Sequence, residues 1–190
     1  MRNYPLATSA DSARLRQYRR ERVQQQMLSR RVPALLLMSP LNLRYATGTN
    51  ISTAYSLHAP FRSLLLPATR AGIVFDWGGG TGDRFDPGTV AEVRQAPLCT
   101  YFPSGPLWRD RAREFAAEIL ALLDKWGTER SVAIDTAPLV LIEALEQAGV
   151  RWSPAEELMH RARSIKSAEE ILCIEQSIGI ADAAMGRLTQ

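Results

Sequence analysis

Apolar positions recur along this chain in two periods. Within residues 11–31, Leu15, Tyr18, Val23 and Met27 keep to one side at helical spacing, while the other faces are rich in Arg and Gln. That pattern predicts a helix with one buried edge. After Pro33, Ala34-Leu35-Leu36-Leu37-Met38 is an unbroken apolar run, as in a strand covered on both faces. Ser39-Pro40-Leu41-Asn42 interrupts it, and residues 43–48 read as a connecting segment closed by Gly48. Residues 63–66 and 72–75, separated by Pro67-Ala68-Thr69-Arg70-Ala71, have the spacing of a hairpin. Residues 77–88 read as loop. Residues 90–93 and 100–102 are weaker strand candidates.

The clearest helix runs from Trp108 to Trp126, with Ala112, Phe115, Ile119 and Leu123 between them at spacings of three and four, and Gly127 closing it. A strand at 131–135, a helix carrying Leu139, Ile142 and Leu145 up to Gly149, and a short strand at 150–152 follow. Strand, hairpin, helix, strand, helix, strand implies an α/β fold: a mixed β-sheet flanked by helices. Ser167-Ala168-Glu169-Glu170 then has the form of a capping box, opening a last helix whose stripe is Ile171, Ile174, Ile178, Ala181, Met185 and Leu188. Such a stripe has to bury itself against something. The expected partner is a surface in sequence beyond Gln190; the alternatives are this domain itself, or a second copy in a dimer.

Composition adds bounds. The chain has 190 residues, 46% hydrophobic and 23% charged, suiting one domain or one domain plus part of another. Two cysteines, Cys99 and Cys173, are too few for a disulfide framework. No apolar run approaches the roughly 18 residues of a membrane helix, and the first ten residues lack a signal peptide's apolar core. The expectation is a cytoplasmic protein with no membrane partner. Its 23 basic residues are all Arg except Lys125 and Lys166, and 20 acidic residues are scattered among them. Nucleic acid is therefore not the expected partner.

Three stretches carry a family resemblance. The Arg-rich opening helix is the first. The second is ALLLMSPLNLRYATG at 34–48, a buried strand followed by Asn42, Tyr45 and Thr47-Gly48. The third is RARSIKSAEEILCI at 161–174, with Arg163, Lys166-Ser167 and Glu170-Ile171. Together they resemble the N-terminal domain of the creatinase/prolidase/aminopeptidase P superfamily, the pita-bread metallohydrolases. The resemblance implies a creatinase/prolidase-like N-terminal domain at 1–160. Residues 161–190 are then a linker and the first helix of a catalytic domain. It also implies a homodimer, and a parent that cleaves a Xaa-Pro bond or a creatine-like C–N bond, or lyses a sulfonium acid. The superfamily's two divalent metal ions are held by two Asp, one His and two Glu of the C-terminal domain. No catalytic, metal or cofactor residue is thus expected within this chain. Leu57-His58-Ala59-Pro60-Phe61-Arg62 looks most like the branch containing dimethylsulfoniopropionate lyase. By the same resemblance, His58, Phe61 and Arg62 are the candidates for touching substrate across a dimer: an Arg fork can hold a carboxylate, and a neighbouring ring an apolar or cationic group.

One motif points elsewhere. Phe75-Asp76-Trp77-Gly78-Gly79-Gly80-Thr81-Gly82-Asp83 is similar to the phosphate loop of actin/Hsp70-type ATPases. Glycines there could let backbone N–H groups approach an anion. The alternative reading is a stand-alone nucleotide- or ligand-binding α/β module using Gly78-Gly79-Gly80-Thr81, and a plain turn accounts for the same residues.

Overall fold

A computed structural model describes residues 9–49, 61–77, 85 and 87–188. Helix α1 (Ser9–Ser29) leads into strand β1 (Ala34–Leu37), helix α2 (Pro40–Thr47), and strands β2 (Arg62–Pro67), β3 (Gly72–Asp76) and β4 (Val90–Gln95). A short helix α3 (Tyr101–Ser104) and a 3-10 turn (Gly105–Leu107) precede α4 (Trp108–Trp126). β5 (Ser131–Ile134), α5 (Leu139–Gln147), β6 (Arg151–Pro154), α6 (Glu156–Ser164) and α7 (Ala168–Leu188) complete the order.

The strands form one sheet ordered β4-β3-β2-β1-β5-β6. β2 is antiparallel to β1 and β3, and the other neighbouring pairs are parallel. Side chains alternate across it. Leu36, Leu65, Ile73 and Phe75 face α4 and α5; Leu35, Leu37, Leu64, Leu66 and Val74 face α1, α2 and α6. This double covering is why β1 to β3 read as continuous apolar runs. Phe75 meets Phe115 of α4 edge-on at 4.9 Å between centroids. The β2–β3 turn needs Gly72, because a Cβ there would lie 2.4 Å from the Leu65 carbonyl oxygen.

Several expectations are corrected. Residues 43–47 are helical, because Pro40 starts a helix at its first turn and Gly48, at φ 72°, closes it by donating to the Arg44 carbonyl. Residues 101–104 form a helical turn in place of a strand, held by the Ser104 hydroxyl donating to the Leu98 carbonyl. Helix α6 was not foreseen: its buried face is only Leu158, Met159 and Ala162 in a charged segment. It runs through position 161 and ends at Ser164. The capping box is present, with Ser167 N donating to Glu170 Oε2 and Glu170 N to Ser167 Oγ, both at 3.2 Å. Among the described residues no helix is long and apolar enough to cross a membrane.

Candidate functional site: the helix junction and the sheet edge

Antiparallel pairing puts the start of β2 beside the ends of β1 and β3, at the sheet's carboxyl edge. Arg62 lies opposite Asp76 in register, and its Nε donates to Asp76 Oδ1 at 2.9 Å. Arg62 Nη1 reaches Thr49 Oγ1 at 3.3 Å, and the guanidinium sits 5.4 Å from the Phe85 ring. Both charged side chains are about nine-tenths buried. Phe61 is half-buried with its ring 5.5 Å from Trp77. The structure thus brings Phe61 and Arg62 together and engages each with its own domain. His58 and Gly78-Gly79-Gly80-Thr81 lie outside the described residues.

Further along this edge, Asp135 follows β5. It accepts the N–H groups of Met38 (2.9 Å), Ser39 (3.2 Å) and Thr136 (2.7 Å), and Nδ2 of Asn42 at 3.0 Å. Burial pushes the Asp135 carboxyl pKa up, and those four donors pull the other way. Asn42 Oδ1 in turn accepts from Arg163 Nη1 at 3.1 Å.

Arg163 belongs to the α6–α7 junction, which α1 and α2 hold throughout. The Tyr45 hydroxyl donates to the Ala162 carbonyl at 3.0 Å, and Arg22 Nη2 to the Arg161 carbonyl at 3.1 Å. These satisfy carbonyls that the end of a helix leaves open. The Tyr18 hydroxyl donates to the Ile165 carbonyl at 2.9 Å, and Arg19 Nε pairs with the buried Glu170 at 2.8 Å. The Arg19 guanidinium also lies 5.1 Å over the Tyr45 ring. Burial, and then the Glu170 charge, push the Tyr45 phenol up to about 12, so it stays a donor. Five side chains from α1 and α2 therefore fix the segment that launches α7. The Asn42–Tyr45 stretch and the Arg163–Glu170 stretch are two halves of one clamp.

Beside the clamp is a groove of about 780 Å³ between α1, α2, the end of α6 and α7. Leu15, Leu41, Ile174 and Ile178 give it apolar walls. Outside it, α7 leaves much of its stripe in solvent: Ile171 is 49% exposed and Met185 63%.

Other reactive groups are quiet. Cys99 is buried, and that burial pushes its thiol up to about 12. His160 is exposed on α6, 4.0 Å from Glu156. Among the described residues no group of three or more His, Cys, Asp or Glu could hold a metal ion.

A six-stranded mixed sheet with helices on both faces is the architecture of pita-bread N-terminal domains. The description "Creatinase/Prolidase N-terminal domain" matches residues 19–165, more than half of the chain, and the chain belongs to that family. It is 29% identical over 180 residues to a dimethylsulfoniopropionate lyase of Roseovarius nubinhibens, covering 94% of this chain and 40% of that protein. It is 32% identical over 163 residues to a dimethylsulfoniopropionate lyase of Roseobacter denitrificans, covering 85% and 36%. The chain thus spans about two-fifths of the length of these relatives. A solved Xaa-Pro dipeptidase from Bacillus anthracis superposes with TM-score 0.61 at 18% identity, over 91% of this chain and 42% of that one, a likeness of fold. These matches lend nothing to the nucleotide-binding alternative.

Proposed function

We propose that this chain is the non-catalytic N-terminal domain of a metal-dependent hydrolase or lyase, serving to dock the catalytic domain, to dimerise and to shape the substrate site. One observation carries the reading. The clamp spends the ion pair of Arg19 with the buried Glu170 and the donors of Tyr18, Arg22 and Tyr45 on aiming α7, whose apolar stripe then lies largely in solvent. A helix fixed so firmly with its apolar face outward is a docking element. The share of the relatives' length that this chain spans supports a second domain to receive it. The two metal ions and the bond-breaking groups belong to that domain. The parent acts on a Xaa-Pro peptide, a creatine-like C–N bond or a sulfonium acid, and the two lyase relatives favour the sulfonium acid. The protein works in the cytoplasm as a homodimer.

In this reading His58, Phe61 and Arg62 lie toward the partner subunit's substrate. The Arg62–Asp76 pair fixes the point where β2 begins, next to those residues in the chain. The test compares this 190-residue chain with the two-domain protein, each supplied with divalent metal and either dimethylsulfoniopropionate or Xaa-Pro dipeptides. Turnover is expected from the two-domain protein alone. Metal-dependent turnover by the 190-residue chain overturns the proposal.

A further inference from the structure

The groove beside the clamp has a charge pattern that specifies what fits it. Its lining holds Arg19, Arg44, Arg163 and Lys166 against the single carboxylate of Glu170. Taking those away leaves 19 of the 23 Lys and Arg to face 19 of the 20 Asp and Glu. The chain's whole excess of positive charge therefore equals the excess on this one wall. Glu170 is already spent on Arg19, and Arg163 on Asn42. Arg44 stands exposed on α2, with no side-chain hydrogen bond or ion pair among the described residues. The apolar walls, Leu41 on one side and Ile174 and Ile178 on the other, favour a covering surface, and Leu41 is 67% exposed. A purely apolar cover would strip water from the cations without replacing it, which is costly. The favourable cover carries apolar side chains at its centre and carboxylates at its edge.

We infer that this groove seats an apolar, carboxylate-rimmed face of the catalytic domain, so that Arg44 forms ion pairs across the domain boundary. The inference rests on the proposed two-domain reading and adds to it the chemistry of the docking face. Such pairs set register and specificity more than raw affinity. They leave a signature that apolar docking lacks: sensitivity to salt and to charge reversal.

The experiment uses the two-domain protein and the rate at which thermolysin cuts within α7, since that protease favours the Ile, Leu and Met of the stripe. One variant is Arg44→Glu with His160→Glu, two exposed positions that make none of the clamp's bonds. The other is Ile174→Asp with Ile178→Asp. The expected result is cleavage at least about tenfold faster in both, with 0.5 M NaCl raising the wild-type rate and leaving the charge-reversed variant unchanged. Faster cleavage in the Ile variant alone, with no salt effect, overturns the carboxylate-rimmed face and leaves the two-domain reading standing. No acceleration in either variant removes both. Charge reversal that alters only the sedimentation of the dimer assigns the groove to a second copy, and also overturns the inference. Unchanged hydrogen exchange in β1 and β2 confirms that each variant is folded.

Discussion

Replacing Asn42 by Leu tests the clamp at the point where its halves meet. The two side chains are close in volume, so little cavity arises. The substitution deletes the Nδ2 donor to Asp135 and the Oδ1 acceptor for Arg163. Hydrogen bonds to charged groups contribute about 1.5–3 kcal/mol each. Asp135 keeps three backbone donors, so it is not orphaned. Arg163 is half-buried and can turn toward water, recovering part of its loss. The two bonds together are worth about 3–6 kcal/mol, and the recovery by Arg163 and the donors left to Asp135 bring the expected loss down to about 2–3 kcal/mol. For a chain of this size that lowers Tm by roughly 4–12 °C. Urea unfolding of the 190-residue chain measures the free energy. A cycle with Arg163→Met isolates the coupling, expected at about 1 kcal/mol or more because the two groups are in contact. Additive losses, with coupling below about 0.3 kcal/mol, would refute the claim that the two stretches act as one unit.

Three other outcomes follow from the same geometry. Arg62→Met removes the Nε donor to the buried Asp76 carboxylate and should cost about 3–5 kcal/mol in chemical denaturation, whereas Arg62→Met with Asp76→Leu should recover much of it; equal losses in the single and double variants would contradict the pairing. Gly72→Ala forces a Cβ toward the Leu65 carbonyl oxygen and should destabilise by about 1–3 kcal/mol, with unfolding at unchanged urea midpoint as the contrary result. Asp135 has a native pKa above its unfolded value, so the stability this shift contributes is present below the unfolded pKa and is lost as pH rises through the native one. Wild-type stability measured against Asp135→Asn should therefore fall as pH rises out of the usual carboxylate range, and a relative rise would reverse the assignment.

How much of this was legible in the sequence differs by element. β1, the β2–β3 hairpin, α4, β5 and the α7 capping box follow from local runs and periods, because each is decided by its own neighbours. α2 was misread because Pro40 serves both as a breaker of the strand and as the first turn of a helix. α6 escaped because three buried positions do not make a visible stripe. The clamp is legible only as motif residues without roles. Tyr45 bonds a carbonyl 117 positions away and Asn42 an arginine 121 away, and a backbone acceptor leaves no mark in sequence. In the sequence Arg62 stands out only through the branch resemblance and the chemistry of its guanidinium, and its pairing with Asp76 shows only once the hairpin register is known.

In the proposed reading the clamp aims α7 into a second domain. The most direct measurement is amide hydrogen exchange along α7, compared between this 190-residue chain and the same chain joined to the sequence that follows it. Exchange through residues 171–185 is expected to slow at least about tenfold in the longer protein, while β1 and β2 exchange alike in both. Identical α7 rates in the two proteins, or a reading frame that stops at Gln190, would contradict it.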